Sequence, residues 1–420
     1  MHKVTSIKID NLWGEVCFKF DFFQDVTFLI GVNGSGKTTI INLIAAALSA
    51  DFQTLDRIHF DSITIELSET DDGFKPFVYV IKDRERKSPC PAINYKIVKG
   101  KDNEQLFSLD DFVEDRLRRR MSSRHYYYQR RLTRGILSEL KSLVNLNWLS
   151  IHRGALDADE ETYESSVDQK LDEVCSQLSK YFSVLSSEIA EEIEDFQKDI
   201  IVSLLVSGND FDEVVSLVET FNMSEEAKKL VEIFTKLNIA KEEASKENIY
   251  KRCRKVKTTL QQMIDGKLDW KDMAVLLNAY RSHKVVEDWN KLLEEQAKIL
   301  TPRKTFVTVL NDLFTTKDIR INERNEVEGV TKSGKVLAAN NFSSGEKQLL
   351  IMLGEALLQE SKAWVYIADE PELSLHVSWQ EKLVSNLLTL NPRAQILCAT
   401  HSPDIVSVYS DRVYKVGEDV

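Results

Sequence analysis

The residues between 30 and 39 have the types and the spacing needed to hold phosphate. They read Ile-Gly-Val-Asn-Gly-Ser-Gly-Lys-Thr-Thr, a G-x-x-x-x-G-K-T pattern. Its glycines let successive backbone N–H groups point into one concavity, and a helix starting there adds partial positive charge. Lys37 would reach the β- and γ-phosphates, and the Thr38 hydroxyl would bind Mg²⁺. The residues predicted to contact a nucleotide are Asn33, Gly34, Ser35, Gly36, Lys37, Thr38 and Thr39.

The elements around this loop fit that chemistry. The apolar run Val26–Ile30 precedes it and predicts a strand, and Ile40–Leu48 follows with the composition and spacing of a helix. The other interpretation is a glycine-rich turn before an ordinary helix. The spacing and the flanks favour the phosphate loop, so the sequence predicts binding of ATP or another nucleoside triphosphate.

Two adjacent carboxylates follow a second apolar strand, predicted at Trp364–Ala368. Paired acids at the end of a buried strand are costly unless a cation needs their charge. Mg²⁺ beside a triphosphate supplies that need. Asp369 would hold the metal, and Glu370 would orient and deprotonate the attacking water.

A single histidine stands at the exit of a third predicted strand, Ala394–Thr400. Ser402 and Pro403 read as the N-cap and the first residue of a helix, which leaves His401 at the mouth of the sheet. A lone histidine is usually incidental. Nucleotide sites of α/β sheets lie at the carboxyl ends of their strands, however, and this position favours a γ-phosphate contact.

Composition limits the class of protein. The chain has 420 residues, of which 43% are hydrophobic, so one or two cores with an insertion are expected. The net charge of −12 argues against a protein that coats nucleic acid, but leaves room for a local basic patch. There is no apolar run of 18 residues, no signal peptide and no C-x-x-C pair among the five cysteines. We expect a cytoplasmic protein without a membrane partner.

The segment from Arg116 to Arg134 is basic in a chain that is acidic overall. Arginine forks match phosphates and tyrosine rings stack on bases, a combination that nucleic-acid sites use. Charge runs are also common as solvated helix faces, and the sequence leaves both interpretations open. The candidate contacts for nucleic acid or an anionic protein are Arg118, Arg119, Arg120, Arg124, Tyr126, Tyr127, Arg130 and Arg131.

The pattern along the chain predicts an α/β fold whose two ends form one nucleotide-binding core. We expect an N-terminal lobe at 1–156, a helical insertion at 157–304 and a C-terminal lobe at 305–420. The insertion should end near Thr301–Pro302, break at Asp265–Gly266 and form a short arm or bundle. Trp13, in the first turn, would either stack on the adenine or pack against its own lobe.

Taken together, these motifs resemble those of the ABC-type ATPase heads of the Rad50, SMC and OLD families. The likeness covers roughly residues 1–155 and 305–420. It implies that Asp369 and Glu370 are the Walker B pair, that Leu373–His376 is the D-loop and that His401 is the switch histidine. Catalysis would then rest on Lys37, Glu370 and His401. The Q-loop glutamine stays open between Gln53 and Gln129.

The resemblance also implies how subunits would assemble. The signature loop of these families contacts the γ-phosphate bound to the opposing subunit, which implies a head-to-tail homodimer or a higher oligomer. Without the resemblance, a serine and a glycine before the apolar helix Leu349–Leu358 would read as ordinary capping residues. The residues that match the signature loop are Ser343, Ser344, Gly345 and Glu346.

Two absences narrow the choice among these ATPase families. We see no transporter-style subdomain, and too few residues follow His401 for a Toprim nuclease domain. In size and truncated insertion the chain is similar to stand-alone ATPases of bacterial anti-phage systems, such as PtuA proteins of Septu and retron systems and the PARIS ATPase. That implies a partner effector nuclease of HNH or Toprim type, or a retron reverse transcriptase with its DNA. The alternatives are an SMC- or Rad50-like ATPase that repairs or tethers DNA, and a scaffold that holds ATP with little turnover.

Overall fold

A computed structural model describes most of the chain. The residues it describes are 1–14, 16–70, 72–83, 92–100, 103–108, 135–149, 166–203, 222–236, 243–267 and 269–417. They form a mixed α/β fold with a helical insertion, as predicted. None of the helices in these ranges has the length and apolar character needed to cross a membrane.

The largest sheet is antiparallel and belongs to the N-terminal part of the chain. Its strands are β1 (Val4–Leu12), β2 (Val16–Asp21), β4 (Ser62–Leu67), β5 (Phe77–Asp83), β6 (Ala92–Gly100) and β7 (Asn103–Ser108), in the order β2-β1-β4-β5-β6-β7. Side chains alternate across these strands. Ile7 and Ile65 face each other in the register and are fully buried in the main core.

A parallel sheet brings the two ends of the chain together. Its strands are β3 (Val26–Ile30), β8 (Leu146–Leu149), β12 (Val365–Asp369), β13 (Gln395–Ala399) and β14 (Val413–Lys415), in the order β14-β3-β13-β12-β8. Every pair in this sheet is parallel. The carboxyl ends therefore lie along one edge, where the loops that follow the strands meet.

Short helices pack around these sheets in the N-terminal part. They are α1 (Lys37–Ser49), α2 (Phe52–Arg57) and α3 (135–143). Eight of the 13 residues of helix α1 are apolar, and Ile40, Ile41 and Leu43 are fully buried. Burying one such side chain contributes about 1.5–3 kcal/mol, so α1 is anchored firmly behind the loop that precedes it.

Four helices make up the described part of the insertion. They are α4 (Ser166–Ser203), α5 (Met223–Lys236), α6 (Glu243–Ile264) and α7 (Trp270–Leu313). The predicted break at Asp265–Gly266 is present, with Gly266 at φ 67°. Helix α7 continues through Pro302 to Leu313, past the end of the insertion predicted near Thr301–Pro302, although the insertion unit itself ends at Lys304. Proline removes one backbone hydrogen bond, but the buried side chains of Phe306 and Leu310 hold the last turns in place.

The chain divides into two units by its internal contacts. The head unit comprises Met1–Ser179 and Thr305–Val420, and the insertion unit comprises Lys180–Lys304. The predicted domain boundaries at 156/157 and 304/305 stay a prediction.

The C-terminal part of the head unit begins with a small antiparallel sheet. Its strands are β9 (Lys317–Ile321), β10 (Val327–Thr331) and β11 (Val336–Ala338), with β10 in the middle. Three helices follow: α8 (Ser344–Leu358), α9 (Val377–Leu390) and α10 (Pro403–Val406). The sheet comes directly before α8, so it is placed to support the start of that helix.

Candidate nucleotide site

The phosphate loop connects β3 to α1 and has the backbone that a phosphate cradle requires. Gly34 and Gly36 have φ angles of 84° and 96°, a region that favours glycine. Gly36 is also the N-cap of α1. A Cβ placed on Gly36 would lie 1.9 Å from the Trp13 ring, so any other residue there would displace the indole.

Trp13 therefore packs against the phosphate loop of its own lobe. Its ring lies edge-on to Phe18 at 6.3 Å, and its backbone N–H donates to the carbonyl of His59 at 2.9 Å. The side chain remains 44% exposed. Stacking of this ring on an adenine, the other sequence-based interpretation, stays a prediction.

Lys37 is a buried cation whose hydrogen-bond partners, among the residues that the structure describes, are neutral carbonyls. Its Nζ donates to the carbonyls of Gly31 and Val32 at 2.9 and 3.2 Å, and the residue is 4% exposed. Burial lowers the pKa of Lys37, while the carboxylates of Glu370 and Asp369 act in the opposite direction. A phosphate oxygen would be a stronger partner for this ammonium than a carbonyl.

Two hydroxyls of the loop fit a bound nucleotide with its metal. The Ser35 Oγ is buried without a hydrogen-bond partner among the described residues. The Thr38 side chain is exposed at the start of α1, and its Oγ1 donates to Oδ1 of Asp369 at 3.2 Å. An orphaned hydroxyl in a glycine-rich turn and a hydroxyl shared with a carboxylate match the needs of phosphate and Mg²⁺ respectively.

Asp369 ends β12 beside this threonine. Burial raises the pKa of Asp369, and the nearby Glu370 and Glu372 add to the rise, while the Thr38 hydroxyl and Lys37 oppose it. The carboxylate is therefore destabilised in the absence of a cation. No cluster of three or more His, Cys, Asp or Glu side chains in the described ranges could bind a metal alone. A metal here would depend on Thr38, Asp369 and the phosphates together.

Glu370 and His401 lie close together, one just after β12 and the other just after the neighbouring strand β13. The Nε2 of His401 lies 3.3 Å from Oε1 of Glu370, and both side chains are about one-third exposed (36% and 33%). Glu370 has φ 47°, an unfavourable conformation for a residue with a Cβ, and its N–H donates to the carbonyl of Ala399 at 2.8 Å. The strained turn aims this carboxylate along the edge of the sheet.

Glu372 is a residue that the sequence analysis misses. Its Oε1 accepts hydrogen bonds from the Thr400 hydroxyl and from the backbone N–H groups of His401 and Ser402, the last two at 3.1 and 3.2 Å. One carboxylate thus fixes the loop that presents His401. The signal in the sequence is a third acid two residues after Glu370, at Asp-Glu-Pro-Glu.

The signature loop precedes α8 and closes on itself. Ser343 donates from both its N–H and its hydroxyl to Oε2 of Glu346, each at 2.8 Å. Ser343 and Ser344 are exposed, whereas Gly345 and Glu346 are buried. Of the predicted γ-phosphate contacts, Glu346 therefore faces inward, and the two serines remain on the surface.

Lys317 forms an ion pair with Glu346, and the sequence analysis misses this residue as well. Its Nζ lies 3.0 Å from a carboxylate oxygen of Glu346 and 4.2 Å from the centre of the Phe342 ring. Burial opposes ionisation of Glu346, but the hydrogen bonds from Ser343 and Lys317 prevail and lower its pKa. The first residue of β9 thus supports the signature loop.

The segment resembling a D-loop lies against the signature helix. A Cβ added to Gly345 would lie 2.5 Å from the carbonyl oxygen of Ser374, so only glycine permits this approach. The amide of Gln348 donates to the carbonyl of Pro371 at 3.2 Å. The structure therefore joins the signature loop to the chain that follows Glu370.

Some predicted contacts cannot be placed. The arginine and tyrosine candidates between 116 and 134 lie outside the described residues, and so does Gln129. Gln53 is exposed on α2. The assignment of a Q-loop glutamine stays a prediction.

Known proteins resemble this chain in fold and in sequence. Among solved structures it is similar to the Smc head domain with a coiled coil and joint from Pyrococcus yayanosii (TM-score 0.43, 14% identity, 99% of this chain and 95% of that chain). It is also similar to the SMC head domain from Thermotoga maritima (TM-score 0.41, 12% identity, 98% and 94%). Structural similarities with TM-scores this low do not assign the chain to a family.

A curated relative and a family model complete the comparison. The "Retron Vc95 probable ATPase" of Vibrio cholerae serotype O1 biovar El Tor is 26% identical over 152 residues, which is 34% of this chain and 29% of that protein. The matched segment thus spans less than a third of the relative. The model for the AAA ATPase domain matches residues 2–406, and the chain belongs to this family.

Proposed function

We propose that the shared edge of the parallel sheet binds ATP with Mg²⁺ and hydrolyses the γ-phosphate. The observation that carries the proposal is the meeting of β3, β12 and β13 at one edge. Each of these strands delivers a group with phosphate, metal or proton chemistry: Lys37 and Thr38, Asp369 and Glu370, and His401.

The roles follow from the contacts. Mg²⁺, held by Thr38 and Asp369, would neutralise phosphate charge as the reaction proceeds. Lys37 exchanges its two carbonyl partners for phosphate oxygens. Glu370 accepts the proton of the attacking water, and His401, 3.3 Å away, keeps that carboxylate oriented.

We further propose that two chains sandwich the nucleotides head to tail. In the described part of the chain, no hydrogen bond or ion pair joins the signature loop to the phosphate loop of the same subunit. Exposed apolar side chains follow two of the strands that end at this edge: Val32 (77%) after β3, and Leu373 (40%) and Val377 (52%) after β12. A second subunit that covers them would bring Ser343 and Ser344 to the γ-phosphate.

Hydrolysis in such a dimer would serve to control a partner. We propose that the chain senses or regulates an effector nuclease of HNH or Toprim type in bacterial defence against phage. Two observations support this proposal: the sequence similarity to the "Retron Vc95 probable ATPase" and the motifs described above. We propose a retron reverse transcriptase with its DNA as the other candidate partner.

The dimer is tested with Glu370→Gln. This variant keeps its nucleotide contacts but cannot take the proton, so we expect turnover to fall about 100- to 10,000-fold. With ATP and Mg²⁺ it should elute as a dimer in light-scattering chromatography, whereas Lys37→Met should stay at the nucleotide-free mass. A Glu370→Gln chain that stays monomeric with ATP contradicts the sandwich.

The partner is tested by capture of tagged wild-type and Glu370→Gln chains expressed with their native neighbouring genes. A stoichiometric nuclease in the eluate supports the regulatory role. Recovery of the homodimer with long DNA alone would favour a DNA-repair or tethering ATPase. ATP bound without phosphate release would favour a scaffold.

A further inference from the structure

Helix α6 of the insertion unit has a charge opposite to that of the whole chain. The chain has a net charge of −12, yet residues 246–258 contain a single acidic residue, Glu247. The basic residues in the same range are Lys246, Lys251, Arg252, Arg254, Lys255 and Lys257. The helix thus has the composition of a binding surface for anions.

The basic residues occupy the solvent face of α6. Cys253 and Leu260 are 5% and 7% exposed and belong to the cores of the insertion unit. Lys251, Arg254 and Lys255 are exposed. With about 100° between successive residues, these three lie within one sector opposite the buried stripe. We call Lys251, Arg252, Arg254, Lys255 and Lys257 the α6 basic face.

Four lysines on the neighbouring helices have ion pairs, whereas the described part of the chain offers the α6 basic face none. Each of the paired lysines contacts a carboxylate three or four residues away on its own helix. These pairs are Lys198–Glu194 (3.1 Å), Lys236–Glu232 (2.9 Å), Lys291–Asp288 (3.1 Å) and Lys298–Glu295 (2.6 Å). Within the described ranges no ion pair or hydrogen bond involves a basic side chain of this face; the Thr258 hydroxyl donates to the backbone carbonyl of Arg254 at 3.1 Å.

The sequence explains the lack of partners. Among the positions three or four residues from the α6 basic face, Glu247 is the single carboxylate, and it faces Lys251 alone. Other cations stand next to one another at helical spacing, as Lys251 does with Lys255 and Arg254 with Lys257. Like charges at this spacing destabilise a helix. A polyanion bound from outside would remove that repulsion.

We propose that the α6 basic face binds the phosphate backbone of a nucleic acid. A row of cations along about 9 Å of helix matches a ligand whose charges recur every few ångströms. Tyr250, four residues before Arg254, is 37% exposed and offers a ring on which a base can stack beside the guanidinium. The combination of unpaired cations with an aromatic neighbour favours nucleic acid over an acidic protein surface.

The test compares two triple variants of the full chain. Lys251→Gln/Arg254→Gln/Lys255→Gln removes three charges from the α6 basic face. The control, Lys198→Gln/Lys291→Gln/Lys298→Gln, removes three exposed charges that already have carboxylate partners. Fluorescence anisotropy with a labelled 40-nucleotide single strand and its duplex, without ATP, gives the dissociation constant at several salt concentrations.

We expect the basic-face variant to bind at least about tenfold more weakly near 100 mM salt, with the slope of log affinity against log salt reduced by about 2 to 3. The control should match wild type. Melting temperatures should stay equal or rise in the basic-face variant, because like-charge repulsion is removed.

Three results would overturn the proposal. One is an equal loss in both triple variants, and another is an unchanged slope in the basic-face variant. The third is unchanged nucleic-acid binding together with a loss of salt-dependent self-association in that variant, which would assign the face to a second copy of the chain.

Discussion

The phosphate loop and the signature loop each depend on a buried lysine, but the two lysines have opposite partners. Lys37 is 4% exposed and donates to two backbone carbonyls. Lys317 is 8% exposed and contacts the Glu346 carboxylate and the Phe342 ring. One cation is buried among neutral dipoles, and the other is buried with its counter-charge.

The difference shows which loop is prepared for a ligand. A carbonyl compensates a buried ammonium only in part, so burial lowers the pKa of Lys37 and the charge gains when an anion arrives. Glu346 already has Ser343 and Lys317 as donors, which lower its pKa. In the phosphate loop, the Lys37 ammonium has no anionic hydrogen-bond partner among the described residues, so an anionic ligand would stabilise it. In the signature loop, the Glu346 carboxylate is already paired with Lys317 and stabilises the loop itself.

The largest effect is expected on the rate of phosphate release, which should depend on Lys37 and not on Lys317. Lys37→Met should reduce phosphate release about 100- to 1,000-fold, because it removes a donor aimed at developing phosphate charge. Its melting temperature should stay equal or rise, since a poorly compensated buried charge is lost. Phosphate-release assays and thermal melting without nucleotide give the two quantities.

Lys317→Met is the matched control for that experiment. It should retain nucleotide binding at the phosphate loop while lowering the melting temperature. If Lys37→Met destabilises the fold as much as Lys317→Met does, the distinction between a ligand-binding and a structural lysine is wrong.

The next effect measures the buried pair itself. Lys317→Met leaves the Glu346 carboxylate buried without its cation, and removing one partner of a buried pair costs about 3–5 kcal/mol. We expect a loss of that order in the free energy of unfolding, from urea titrations. Lys317→Met/Glu346→Gln should recover most of it, because the glutamine oxygen can still accept from Ser343. A double variant as unstable as the single one would show that Lys317 acts by packing alone.

The smallest effect is the pH dependence of the contribution that the Glu346 carboxylate makes to the free energy of unfolding. The pKa of Glu346 is lowered from its usual value of 4.5, so its stabilisation is full above about pH 4.5 and is lost as the pH falls through the folded-state pKa. The difference in unfolding free energy between wild type and Glu346→Gln should be constant from pH 6 to 8 and shrink in acid.

Asp369→Asn supplies a control of opposite sign. Because the pKa of Asp369 is raised, its ionised form destabilises the nucleotide-free fold at neutral pH, and this cost fades as the pH falls through the raised pKa. The asparagine variant should therefore be more stable than wild type near pH 7, by a margin that shrinks in acid. A difference that is independent of pH, for either variant, contradicts the assigned pKa direction.

Local patterns predicted the strand, glycine-rich loop and helix at residues 26–49, because the requirements of such a loop are local. The glycine spacing, the preceding strand and the following helix lie within about 25 residues of sequence. The two acids after β12 and the histidine after β13 could be read in the same way, since each follows a buried strand. The proline did not reveal that α7 continues to Leu313, because packing of Phe306 and Leu310 outweighs a missing hydrogen bond.

Glu372 and Lys317 show the limit of such patterns. Each acts on residues about 30 positions away, Glu372 on His401 and Lys317 on Glu346. A single sequence gives no sign of these contacts, since a glutamate after proline and a lysine at a strand start are ordinary surface residues by type.

The sequence alone therefore predicts which groups would bind phosphate, metal and proton, because spacing along one strand, loop or helix fixes those patterns. The tertiary structure decided which groups meet and which charges are satisfied. Thr38 and Asp369 come together because β3 and β12 end at the same edge, each paired with β13. Burial, which depends on every element packed around a residue, left Lys37 in need of an anion and gave Lys317 its own.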